Sequence, residues 1–300
     1  MNKYGKQIAK RMVLLAATAL VSAAVFAQMP QQPGQPQPGQ QPGQQPGQQQ
    51  PGQTPNPSNP QAAPIDGLQP PVSAAEDEAI KGFRDEQDKT KKDQLAQDFV
   101  QKYPQSRYLP EIYNWQVRFY YGKGDVEKME ASADRQLALY PNDPQTLAIV
   151  GATLPRSWNA GLTQEQKDKR LDKAEKYSQK ALDLLPTIPK PEGMPDATFD
   201  QLKGETYAMA YSGLGLVAFR RGKFSDAIPN LEKAVKADAQ QPDPVNYYVL
   251  GKADEQTSHF DDAIAAFTKC AAIPSGMKDT CAHGVEEAKK LGATQLSSPK

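Results

Sequence analysis

The side chains best suited to nucleophilic, redox or metal chemistry are few: His259, His283, Cys270 and Cys281. Neither histidine falls in a His-x-x-x-His pair or a Cys/His cluster with metal-ligand spacing. The cysteines stand eleven residues apart, too far for a redox Cys-x-x-Cys. No Gly-x-Ser-x-Gly elbow or phosphate loop occurs. Gly213-Leu214-Gly215 reads as helix-packing glycine, because a nucleotide fingerprint needs a preceding strand. Carboxylates are plentiful, but no spacing singles out an acid/base pair. The residues therefore predict no enzyme, no metal and no cofactor.

The two ends of the chain set its context. Lys3, Lys6, Lys10 and Arg11 precede an uncharged run from Met12 to Phe26, and Val25-Phe26-Ala27 offers small residues at the positions a signal peptidase reads. Residues 1–27 thus read as a secretory signal cleaved before Gln28. The other reading, a retained anchor, has an apolar run shorter than the roughly 20 residues a bilayer span needs. No Cys lies near residue 28 to carry a lipid, and no stable membrane span is expected after cleavage. Export to the periplasm or the exterior places Cys270 and Cys281 where a disulfide persists. Such a bridge would contribute on the order of 2–3 kcal/mol by closing a short loop; the alternative is two separate thiols. Without residues 1–27 the chain has 31 basic and 35 acidic residues, so no basic surplus favours nucleic acid.

Residues 28–72 hold thirteen of the 27 prolines and no Lys, Arg, Cys or aromatic residue. Such a stretch cannot bury enough apolar surface to offset ordering entropy, so it reads as a disordered linker. Its Pro-Gly-Gln repeats suit a hydrated spacer better than a polyproline ligand, since regular glycine interrupts the ligand helix.

From Ser73 onward apolar residues recur at three and four, with Gly or Pro at the ends. Helices are expected near 74–87, 90–103, 108–122, 125–140, 144–156, 164–185, 197–221, 224–238, 243–257, 260–272 and 277–291. No segment sustains strand alternation. Pro229 is read as lying in the first turn of its helix, where a missing N–H costs little. Within this run the chain repeats itself. Phe224, Asp226, Ala227, Ile228 and Lys233 return 36 residues later as Phe260, Asp262, Ala263, Ile264 and Lys269. Tyr211, Leu214 and Gly215 return as Tyr247, Leu250 and Gly251. A repeat of this period predicts stacked helical units.

Tyr211-x-x-Leu214-Gly215 with Gly222, Ala227, Leu231 and Ala234 resembles the tetratricopeptide repeat. So does the next copy, Tyr247, Leu250-Gly251, Ala263, Phe267 and Cys270, with Ser258 at the turn-glycine position. Weaker units keep Tyr113, Tyr120, Gly124 and Pro141, and then Val150-Gly151, Ala174, Ala181 and Pro186. The second of these carries about eleven extra residues around Trp158. Phe99 to Glu111 resembles periplasmic members of the family that serve outer-membrane assembly and the Tol-Pal division machinery. The resemblance implies an all-α solenoid over 73–292, with units near 73–106, 110–143, 144–188, 208–241 and 244–277. A cap over 277–291 would stop at Gly292, before a disordered tail over 293–300.

Such a solenoid binds a protein or peptide along its concave face. The family's groove positions fall here on Asn114, Arg118 and Tyr121; on Arg156; on Ser212, Phe219 and Arg220; and on Tyr248, Lys252 and Glu255. Aromatic and basic residues together suit a peptide of acidic or C-terminal carboxylate character. The set is sparser in Lys, Arg and Asn than in carboxylate-clamp members, so a strict clamp is not implied. The expectation is a non-enzymatic interaction scaffold in the cell envelope. The alternative is a ligand pocket or enzyme site near the 155–165 insertion and the 186–195 loop.

Overall fold

Helix ends are written into the chain as caps. Ser73, Asp88, Asp125, Asp143 and Asp243 each accept a backbone N–H of the first turn they open. Thr163 does the same in a reciprocal capping box with Gln166. Pro110, Pro144 and Pro244 occupy first-turn positions, where no N–H is needed. Gly124 and Gly222 end helices in the left-handed region. Ser258 adopts the same conformation, φ 63°, where the preceding unit has Gly222.

The computed structural model describes residues 72–157, 161–237 and 240–297, the last three of these by backbone alone. Among them lie eleven α-helices and no strand. They are α1 (Ala74–Asp85), α2 (Lys89–Lys102), α3 (Leu109–Lys123), α4 (Val126–Leu139), α5 (Pro144–Thr153) and α6 (Gln164–Leu184). The chain continues as α7 (Asp196–Arg220), α8 (Phe224–Ala237), α9 (Pro244–Gln256), α10 (Phe260–Ala272) and α11 (Lys278–Ser297). Short 3-10 turns, Leu154–Arg156 and Leu185–Thr187, extend α5 and α6. The expected helices are all present, the first ten to within three residues. The signal, the linker and Trp158 lie outside the described residues.

Successive helices form antiparallel pairs: α3 with α4, α5 with α6, α7 with α8, α9 with α10. The pair α1/α2 opens the stack, and α11 closes it against α10. This is an all-α solenoid of stacked helix pairs. Close approach depends on small residues. A Cβ on Gly215 would meet the Leu231 side chain at 2.6 Å. The Phe267 ring lies between Gly251 of α9 and Gly284 of α11, each close enough that a Cβ would collide with it at 2.8 Å. Ala227, Ala234 and Ala263 are fully buried beside them. In the weaker units the small positions hold Val117 and Met129, and both are buried in one cluster with Ile149, Leu154 and Leu171. The larger side chains there fill space that glycine and alanine leave closed elsewhere.

Two local expectations are corrected. Pro229 stands sixth in α8, inside the helix rather than in its first turn. It and Ser225, whose carbonyl loses its partner, are both exposed, so water can satisfy that group. Gly292 does not stop the cap. α11 runs on to Ser297, because Gly292 packs against Phe260, with a virtual Cβ 3.3 Å from the Phe260 Cβ. The 293–300 tail is thus helical through 297. Cys270 and Cys281 are bonded, both fully buried, and join α10 to α11.

Candidate functional site

The inner face follows from which helices touch. The first helices of neighbouring pairs contact one another, α3 with α5, α5 with α7, α7 with α9, and α9 with α11. Consecutive second helices do not pack to a comparable extent. The stack therefore curves toward its first helices, and their outward side chains line the concave face.

Most of the sequence-predicted groove residues are held by bonds between units. Asn114 of α3 donates to the Asp143 carboxylate at 3.1 Å. Arg118 donates through Nη2 to Gln145, while its Nε and Nη1 are buried and have no hydrogen-bond partner among the described residues. Burial lowers the Arg118 pKa, with the field of Asp143 opposing. Arg156, on the turn after α5, donates to Asp243 at 2.5 Å, to Ser212 at 2.7 Å and to Asn246 at 3.1 Å. Ser212 donates in turn to Asn246 at 2.6 Å. Burial works against the Arg156 charge, but the Asp243 carboxylate, with Tyr121 adding, outweighs it and the pKa rises. Tyr121 is raised, first by burial and then by Asp243, with Arg156 opposing. Arg220 donates through Nε to the Pro155 carbonyl at 3.1 Å.

Toward the C-terminal end, Lys252 bridges Glu255 at 2.7 Å and Glu287 of α11 at 2.9 Å. Burial opposes its charge, and the two carboxylates more than compensate. Tyr248 packs on Phe267 with ring centroids 5.7 Å apart. Phe219 meets Phe224 edge-on at 5.3 Å and belongs to the core between α8 and α9. The structure thus brings Tyr121, Arg156 and Ser212 to one point. It sets Tyr248, Lys252 and Glu255 apart, under the cap.

Asp143, Gln145, Asp243 and Asn246 were not foreseen in this cluster. A signal existed: Asp143-Pro144 and Asp243-Pro244 are the same N-cap dipeptide at the head of two first helices. Each capping carboxylate accepts backbone N–H groups of its own helix with one oxygen and offers the other to an inner-face residue of an earlier unit, where Asp143 also accepts from Thr146 Oγ1.

A cleft of about 670 Å³ lies on the other side of the stack, between α6, α7 and α8. Leu214 and Ala218 line it with Asp172, Glu175, Arg221 and Asn230. Arg221 is already paired with Asp172 and Glu175, both at 2.6 Å. Among the described residues, none of its lining comes from 155–165 or 186–195, the segments expected to build a pocket. Among the described residues, no three His, Cys, Asp or Glu side chains gather to hold a metal, and no helix is long and apolar enough to cross a membrane.

No protein-family model matches the chain, and no curated protein matches it. Solved structures similar to it include TTC0263, a thermophilic TPR protein of Thermus thermophilus. The two chains are 17% identical over 74% of this chain and 95% of that one, with a TM-score of 0.41. PilW, described as a widely conserved type IV pilus biogenesis factor, is similar at 16% identity over 69% of this chain and 94% of that one, with a TM-score of 0.33.

Proposed function

We propose that the protein is a non-enzymatic interaction scaffold, exported to the periplasm or the exterior, which binds a polypeptide on the concave face of its helical stack. The observation that carries this is the inner face itself. Three first helices, α3, α7 and α9, present Arg118, Tyr121, Ser212, Arg220, Tyr248 and Lys252 along one curved surface, partly exposed except for buried Ser212 and exposed Arg220. Partly buried tyrosine and arginine are the side chains that dominate binding energy at protein interfaces. A stack of helix pairs supplies an extended surface for them. The basic and aromatic character favours a ligand with acidic side chains or a free C-terminus.

The test is affinity capture from an envelope extract. Wild type is expected to retain specific proteins, and the triple variant Tyr248→Ala, Lys252→Ala, Arg220→Ala to lose them. Identical partners on both baits would count strongly against the reading. Native mass spectrometry should show the bare chain mass; a bound small molecule or metal would favour a ligand-binding protein instead.

A further inference from the structure

We propose that the Arg156–Asp243 bridge is a latch across the inner face, which keeps the groove closed over the fourth unit until a partner's carboxylate replaces Asp243. The proposal rests on the concave face being the binding surface. It starts from an unusual reach. Neighbouring units in a helical stack normally meet only each other. Here Arg156 of the third pair bonds Asp243 and Asn246, 87 and 90 residues away, on the fifth pair. Their helices, α5 and α9, share no interface like that of neighbouring units. Ser212 of the fourth pair accepts from Arg156 and donates to Asn246 beneath the bridge. Tyr121 of the second pair lies within electrostatic range of both charges. Four units converge on one guanidinium, and a polypeptide running along the groove meets this knot.

The knot is built to exchange partners. Asp243 is held in place by its other oxygen, which caps α9 through Val245 N at 2.9 Å. The carboxylate therefore stays with α9 when the bridge opens, and the guanidinium is released. The bridge is not sealed: the side chains of Arg156 and Asp243 keep 23% and 33% of their exposure. Nε of Arg156 is a buried donor with no acceptor among the described residues. Such a group is costly to leave unpaired, and an incoming carboxylate would satisfy it.

Asp243→Asn is the informative change. Asparagine caps a helix as well as aspartate does, so α9 keeps its start while the bridge loses its charge. Hydrogen exchange and binding of acetylated hexaglutamate, against hexaglutamine, are measured on the full chain. Amides of residues 244–256 are expected to exchange about three- to tenfold faster in Asp243→Asn, since a charged hydrogen bond is roughly twice as strong as a neutral one. Hexaglutamate is expected to bind the variant about three- to tenfold more tightly than wild type, and Arg156→Gln more weakly than either. Unchanged exchange in Asp243→Asn overturns the latch whatever the peptide does. Faster exchange with no preference for hexaglutamate over hexaglutamine overturns the carboxylate exchange and counts against an acidic ligand for the groove.

Discussion

Replacing Gly213 by alanine tests the packing that gives the stack its shape. A Cβ at this position would lie 2.8 Å from the Gly151 carbonyl carbon and 2.9 Å from its oxygen. It would also collide with Ser178 Oγ. Ser178 is fully buried between the two glycines, so α5, α6 and α7 meet at one point. The hydroxyl can rotate, but the Gly151 backbone can yield only if α5 and α7 separate by about half an ångström. Overpacking of this kind costs about 1–3 kcal/mol. Alanine returns about 1 kcal/mol of helix propensity. Taking the upper end, since backbone rather than side chain must move, the net loss is about 2 kcal/mol. Gly82 of α1 is the control, because a Cβ there meets nothing within 4 Å. Gly82→Ala keeps only the propensity gain and is expected to stabilise by about 0.5–1 kcal/mol. Urea unfolding followed by circular dichroism should move the two midpoints in opposite directions. Equal stabilisation by both substitutions would refute the tight α5–α7 crossing.

Ser258→Gly should stabilise by about 1 kcal/mol, because serine sits at positive φ where glycine carries no penalty; a melting rise of about 2–4 °C checks it. Burial, then Asp262 and Glu232, with His259 opposing, raises the pKa of Asp254 to about 6. A raised carboxylate destabilises the fold at pH above about 6 and ceases to do so as pH falls toward its ordinary value. At full weight the effect is about 3 kcal/mol, and solvent screening leaves about 1–2. Asp254→Asn should therefore stabilise at pH 7.5 and do little at pH 4.5; an equal gain at both would exclude this cause. Reducing the Cys270–Cys281 bond should cost on the order of 2–3 kcal/mol, by relaxing a short loop in the unfolded chain. Exchange in α11 should rise well before that in α5, and uniform loosening of all helices would contradict a cap held at its end.

Much of the fold was legible because its determinants are local. Aspartate caps, first-turn prolines and the three-four apolar spacing mark the helices. The 36-residue echo marks the small residues at crossings, and the structure puts Gly215 on Leu231 and Gly251 on Phe267. The failures are tertiary. Nothing near Gly292 in sequence reports that Phe260 packs on it and lets α11 continue. The groove was legible as positions on helices but not as bonds. Arg156 looked like a side chain turned toward a ligand, because its acceptors lie 56 to 90 residues away. Periodicity says which face a residue occupies; only the curvature of the stack says that the face folds back on itself.

A polypeptide ligand on the inner face is best sought by site-specific photo-crosslinking in living cells. Benzoylphenylalanine is placed at Tyr248 on the concave face and, separately, at Lys176, which lines the outer cleft. A discrete protein adduct is expected from position 248 and none of the same mass from position 176. Adducts of equal mass and yield from both positions, or from position 176 alone, would contradict a ligand on the inner face.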